Sequence, residues 1–363
     1  MLKDAARHWG ALIFGMALAM TSGAWAQEAV PVTAPTEHAG KVPGAPQIVA
    51  PPVGSAAVPG WNNPPQAWEP LSETRQYASL PGIETYRLIQ GAGREWRALR
   101  NGPITQLGGW FVVLVLAAIL LFYLVKGPIR LSEPRTGRMI ERFNAVERAS
   151  HWTMAISFIF LALTGIVMFW GKHIVLPWLG YSSFSWVTVV SKNVHNFVGP
   201  LFVFALLVSF LIFVKDNLFR PIDWTWIKHF GGMFGRREIP SGRFNGLEKV
   251  WFWGGLVLLG IALSVTGLIL DFPNWAQTRE VMQVSNIVHL VAALAFIAGA
   301  MGHIYIGTIG MEGAYHAMRR GTVDEAWARQ HHRLWYEEVR AGERPEKVVA
   351  HPQPPLRPAR AHR

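Results

Sequence analysis

Long apolar stretches organise this chain, near 104–125, 152–170, 194–214, 250–270 and 287–309. Each approaches the roughly 20 residues that a helix rising about 1.5 Å per residue needs to cross about 30 Å of hydrocarbon. Several carry His, Asn or Thr, which a helix facing only lipid would avoid. A shorter apolar run near 10–20 follows a basic start at Lys3 and Arg7 and precedes the small residues Ala24 and Ala26. That order is expected of a cleavable signal peptide over 1–26, with an uncleaved membrane anchor as the alternative. From 27 to 103, Pro31, Pro35, Pro43, Pro46, Pro51 and Pro52 are too closely spaced for a helix or a central strand. This stretch reads as an extended Pro/Ala-rich arm, with a short surface helix possible over 87–100.

Composition agrees: 51% of residues are hydrophobic and only 16% charged, against about a quarter charged in soluble chains. The net charge of +11 admits nucleic acid, an anionic membrane surface or cytoplasmic loops as its meaning. Its distribution decides. With the arm outside, the loop 126–150 is inside and holds six Lys and Arg, and 215–249 is inside and holds seven. The outside loops 171–192 and 271–286 hold two and one. Every loop obeys the positive-inside rule, and the tail from 310 falls on the inner side with ten basic residues. The charge therefore marks topology, and no nucleic-acid partner is expected. The chain is expected to be an all-α, multi-pass protein of a bacterial inner membrane, with arm periplasmic and C-terminus cytoplasmic.

There are no cysteines, which excludes structural disulfides, Cys-ligated zinc, protein-held iron–sulfur clusters and thioether-linked haem. Of the 13 His, four fall in spans, where ionisable groups are costly and point to function. The topology places His195 and His289 near the periplasmic face and His151 and His303 near the cytoplasmic face. Fourteen residues separate His289 from His303, about 1400° of helix and about 21 Å of rise, so both project from one face. Two stacked layers, each with imidazoles from different helices, suit flat tetrapyrroles. Without Cys and with no evident axial Met, the species is two bis-His haem b, whose filled axial positions leave only electron transfer. Thr164-Gly165, Thr266-Gly267 and Gly199 permit close approach to a ring edge, although helix packing alone would also explain them. His38, His173, His229, His316, His351 and His362 are expected to be solvated.

Phe143-Asn-Ala-Val-Glu-Arg-Ala-Ser-His151-Trp152, His195-Asn-Phe-Val-Gly199, the His289/His303 pair and His331-His332-Arg-Leu-Trp335-Tyr336 resemble the cytochrome b gamma subunit of respiratory formate dehydrogenase. The resemblance covers roughly 138–340 and extends more loosely to the cytochrome b subunits of nickel–iron hydrogenases and thiosulfate reductases. It implies a four-helix dihaem core over 127–309, with 104–126 as an extra transmembrane helix and 310–363 as a tail bearing an amphipathic helix. It implies as partners an iron–sulfur beta subunit and a molybdenum or tungsten alpha subunit that oxidises formate outside. Electrons would enter at the His195/His289 haem and leave from the His151/His303 haem to quinone.

The segment matching the family's quinone site is Gly242-Arg-Phe-Asn245-Gly-Leu-Glu248-Lys249-Val-Trp-Phe-Trp253, beside His303. Asn245 would donate to a quinone carbonyl, and Glu248 and Lys249 would relay protons through water; the plainer alternative is an ordinary helix start. Thr322-Val-Asp-Glu325 is expected to be a capping box opening a helix to about residue 340. Trp327, Leu334 and Trp335 would anchor it in the membrane interface. His331 and His332 would be surface residues or line the proton path. Alternatives to the formate dehydrogenase reading are the cytochrome b of a hydrogenase or another molybdenum oxidoreductase, and a non-redox anchor or metal transporter.

Overall fold

A computed structural model describes residues 76–77, 88–89, 91–232, 239–275, 277–345 and 348–350. The expected signal peptide and most of the expected arm lie outside these residues. The chain divides into two units, one of Gly23–Ala98 and one of Met1–Ser22 with Leu99–Arg363. In the first, strands β1 (Gln76–Tyr77) and β2 (Leu88–Ile89) pair antiparallel, and helix α1 begins at Gly91 and runs to Leu99.

The second unit holds the apolar helices. Among the described residues, five helices are long and apolar enough to cross a membrane: Gly93–Lys126, Ala145–Ile174, Leu176–Phe213, Gly246–Asp271 and Arg279–Gly310. They coincide with the five apolar stretches, because hydrocarbon forces a spanning chain to satisfy its backbone within its own helix. The first span starts earlier than 104: a wide turn, Arg100–Ile104, takes Pro103 into the helix ahead of α2 (Thr105–Lys126).

Helix α3 (Ala145–Ile174) opens with a capping box, in which the Asn144 side chain accepts from Glu147 N and the Glu147 carboxylate accepts from Asn144 N. These are residues of the Phe143-to-His151 motif, so part of that motif is helix initiation. Helix α4 (Leu176–Phe213) follows almost at once, bends at Gly180 (φ 70°) and carries Pro200, which removes one backbone bond from the third span. After a short α5 (Pro221–Lys228), the fourth span comprises α6 (Gly246–Val250), a wide-pitch segment Trp251–Leu259, and α7 (Gly260–Asp271). Helix α8 (Arg279–Tyr305) is the fifth span. Helix α3 packs along α4, α7 along α8, and α2 also packs on α8.

One end of the bundle carries a cap that departs from a purely helical reading. Strand β3 (Arg138–Glu141) lies between β4 (Thr322–Asp324) and β5 (Val348–Ala350), all antiparallel. Between them come α9 (Ala314–Arg320), α10 (Glu325–His331) and α11 (Arg333–Arg340). Gly321, at φ 85°, turns the chain after α9, and its carbonyl accepts from Arg142 N and Phe143 N. A Cβ there would come 2.5 Å from the Phe143 carbonyl oxygen, so only glycine fits.

The tail differs from expectation in three ways. Thr322 pairs in a strand, and Asp324 is the cap, accepting from Ala326 N as well as Thr136 N and Gly137 N. The helix breaks at His332 (φ −140°, ψ 53°) instead of continuing to residue 340. Trp327 and Trp335 are 3% and 0% exposed, packed with Ile140, Phe143 and Val323; they are the core of the cap and not membrane anchors. Among the histidines expected to be solvated, His229 is exposed and His173 and His316 are half-buried. His38, His351 and His362 lie outside the described residues.

Lys249 also departs from its expected role. It is buried, donating to Asp223 Oδ2 at 2.7 Å and to the Leu218 carbonyl at 2.9 Å, so it ties α5 to α6 and is no part of a water relay. Removing one partner of such a pair leaves an uncompensated buried charge. Lys249→Met is therefore expected to cost about 3–5 kcal/mol of stability, and Lys249→Met with Asp223→Asn much less. Denaturation of the detergent-solubilised variants tests this; a double variant no more stable than the single one would refute it.

Candidate functional site

The four intramembrane histidines meet in the two expected pairs. His195 on α4 and His289 on α8 have ring centroids 6.2 Å apart with planes at 68°. His151 on α3 and His303 on α8 are 6.1 Å apart at 53°. A metal bound by two imidazole nitrogens at ~2 Å each puts the ring centroids roughly 6 Å apart, so each pair leaves room for one iron between its rings.

Hydroxyl groups orient the first pair. Thr164 Oγ1 donates to the Phe160 carbonyl at 2.7 Å and lies 2.8 Å from His195 Nδ1. Thr266 Oγ1 donates to the Ala262 carbonyl at 2.6 Å and lies 3.0 Å from His289 Nδ1. Because each hydroxyl proton is committed to its own helix, the oxygen can only accept from the ring. The proton then sits on Nδ1 and the Nε2 lone pair is left for a metal. A cavity of about 380 Å³ opens beside these rings, lined by His195, His289, Gly165, Gly199 and Gly267. A Cβ on Gly165 or Gly267 would sit 3.5 or 3.4 Å from the imidazole Cε1, filling space that a flat ligand needs. Tautomer, cradle and spacing all fit an axially ligated tetrapyrrole.

The second pair fits on spacing, with different support. His303 stacks on Trp251 at 5.8 Å and 19°, and Trp251 lies against Gly255 and Gly299, where a Cβ would collide with its ring. His151 Nδ1 is buried without a hydrogen-bond partner. Among the described residues no three His, Asp or Glu converge as a metal cluster.

Asn245 and Glu248 sit where the cap meets the fourth span. Asn245 Oδ1 accepts from Leu247 N and Glu248 N, each at 3.0 Å, and the Glu248 carboxylate accepts from Asn245 N at 2.7 Å and from Arg142 at 3.2 Å. Both therefore start a helix, whatever else they do. The tail holds their approach in place: His332, 1% exposed, lies with Nδ1 2.8 Å from the Gly242 carbonyl, and Ser241 donates to the His331 carbonyl. Arg142 is 2% exposed, with its guanidinium 4.9 Å above the Trp327 ring and 5.3 Å from the Phe143 ring. Burial lowers its pKa to about 10, with Glu248 opposing. Burial, and then the positive Arg142, push His331 down to about 4, and the same causes hold His332 well below its ordinary value.

An apolar bundle with paired, pre-oriented imidazoles defines a membrane cytochrome b. The prokaryotic cytochrome b561 family matches residues 142–321. The chain is similar to the cytochrome b556(fdo) subunit of formate dehydrogenase from Escherichia coli, at 30% identity over 210 residues, 55% of this chain and 93% of that protein. It is similar to the nitrate-inducible b556(Fdn) subunit of the same species, at 29% over 211 residues, 57% and 94%. A cytochrome b556 subunit of formate dehydrogenase from Haemophilus influenzae is 27% identical over 214 residues, 55% and 83%. The chain belongs to the prokaryotic cytochrome b561 family, membrane proteins that bind haem b and transfer electrons.

Sequence reasoning noticed Thr164 and Thr266 only for the glycines beside them; the repeated Thr-Gly step was the available signal for a hydroxyl facing each ring. It missed Trp251, which no spacing marks, and Arg142, which read as one loop charge among six.

The cap histidines carry a pH dependence. The unfolded chain binds protons below about 6.5 that the folded cap refuses until about 4 for His331. Stability is therefore complete above about 6.5 and falls as pH drops through that window. Each histidine contributes at most about 1.4 kcal/mol per pH unit. His332→Asn, which can keep a donor to Gly242, should flatten the slope by one histidine in denaturation series between pH 7 and 4.5; an unchanged slope would contradict it.

Proposed function

We propose that the chain is the membrane-embedded dihaem subunit of a formate dehydrogenase complex. It would pass electrons from a periplasmic iron–sulfur and molybdenum or tungsten module to membrane quinone near the cytoplasmic face. The observation that carries this reading is the geometry of the histidines: two pairs at 6.2 and 6.1 Å that share helix α8 and lie 14 residues apart along it. His195 and His289 would hold one haem b and His151 and His303 the other. Similarity to formate dehydrogenase subunits supports the choice of donor, and the basic loops support a cytoplasmic cap.

Haem b, held by these four histidines, would supply a one-electron couple. The chain's own residues do the rest. Thr164 and Thr266 fix the Nδ1–H tautomers of His195 and His289, so both rings present a lone pair. Trp251 supports His303 from the side facing the fourth span. Near that layer, the side chains of Asn245 and Glu248 would bind quinone and help bring its protons from the cytoplasm. With formate oxidised outside and protons taken up inside, turnover would charge the membrane.

Purification from native membranes tests the reading: two b-type haems per chain, with an iron–sulfur and a molybdenum or tungsten subunit attached, are expected. Hydrogenase subunits in their place would replace the donor, and absence of a Soret band would end the haem assignment. His303→Ala is expected to lose one haem and quinone reduction while the remaining haem still accepts electrons from the partner; two retained haems would contradict the pairing. Asn245→Ser keeps a helix cap, so slower quinone reduction at full haem content is expected from it, and unchanged kinetics would remove Asn245 from the site.

A further inference from the structure

The segment matched by the family begins at Arg142, so the first span lies outside it, yet that span reaches the His195/His289 cavity. Arg100, in the wide turn ahead of α2, lines the cavity, with its guanidinium 5.4 Å over the Phe169 ring and Nη1 donating to Asn101 Oδ1 at 2.8 Å. The turn is held firmly. The buried Thr105 hydroxyl donates to the Arg100 carbonyl at 2.7 Å, and buried Trp170 donates to the Thr105 carbonyl at 3.2 Å. Gly108 packs closely on Leu294, whose Cδ1 would lie 2.5 Å from a Cβ there, and Leu294 lines the same cavity.

Lys192, three residues before His195 on α4, also lines the cavity and donates to Asn196 at 3.3 Å. Asp271 is the carboxylate among the lining residues. Two cations against one anion face a space that already presents two imidazoles. Haem b carries two propionate carboxylates, and a carboxylate leaving water needs a charged or hydrogen-bonding partner. An arginine fork is the side chain best shaped to supply one.

We propose that Arg100 binds a propionate of the haem held by His195 and His289, with Lys192 as the second cation, so that the first span completes this cofactor pocket. The inference rests on the assignment of a haem to that pair. A fixed positive charge beside the propionates favours the reduced haem, which carries one negative charge more than the oxidised form. Arg100 is a binding and tuning residue and takes no part in axial ligation.

Spectroelectrochemical titration of the full-length chain at the haem α band tests the proposal. His289→Ala identifies which of the two components belongs to this pair. Arg100→Gln is expected to lower the potential of that component alone. At a fixed ambient potential its oxidised-to-reduced ratio should rise on the order of three- to tenfold, tenfold being ~59 mV for a one-electron couple. Arg100→Lys should restore most of the shift, and Lys192→Gln should move the same component in the same direction. Unmoved potentials in Arg100→Gln, or equal shifts of both components, would overturn the proposal. Should Arg100→Gln not assemble, Lys192→Gln decides: a shift of this component supports the proposal, and no shift overturns it. A chain that purifies without haem removes the underlying assignment instead, whereas two haems with unmoved potentials remove only the role of Arg100.

Discussion

An imidazole inside a bilayer cannot rely on water, so each ring nitrogen needs a partner supplied by the protein or by what the protein binds. In the His195/His289 layer that requirement is half met by the chain. Thr164 and Thr266 each spend their proton on a backbone carbonyl of their own helix and offer an oxygen to the ring. The two rings face a shared gap with their centroids 6.2 Å apart. A pair of such rings, with glycines at their edges and a cavity beside them, leaves room for a flat ligand.

The same constraint takes another form at the cap. Arg142 and Arg243 are buried, and Arg243 bonds Glu147, Asp216 and the Arg142 carbonyl while Arg142 bonds Glu248 and the Arg243 carbonyl. This network joins the start of the second span, the end of the third and the start of the fourth. Burying a single ion is costly, but a set of charge-assisted bonds offsets much of that cost and fixes geometry. Around it, Phe143, Phe244, Trp327 and Trp335 supply ring faces to the guanidinium groups. The segment that leads to Asn245 is thereby held from both sides, by Arg243 within it and by His332 of the tail.

Much of this was legible in the residues. The spans were, because hydrocarbon permits little besides apolar helices, and the histidine pairing was, because the helix directions expected from loop charge and the helix rise give matching depths. Charged and aromatic residues outside the bilayer were harder to place. Arg138 to Glu141 looked like a basic loop and became the central strand of a small sheet. Trp327 and Trp335 have the spacing of interfacial anchors, yet they fill the cap. Lys249 looked like a proton carrier and is locked to Asp223. Each depends on a partner more than 20 positions away, which local pattern does not reveal.

The spans and the pairing of the four histidines were thus legible in the sequence alone, since they follow from local hydropathy, loop charge and the 3.6-residue repeat. That a threonine oxygen meets Nδ1 of His195 and of His289, which arginine is buried, and that a span outside the family's segment brings Arg100 to the cavity were decided only in three dimensions. Those facts arise from contacts between helices distant in sequence, where a hydroxyl, a ring or a charge acquires its role from what it is packed against.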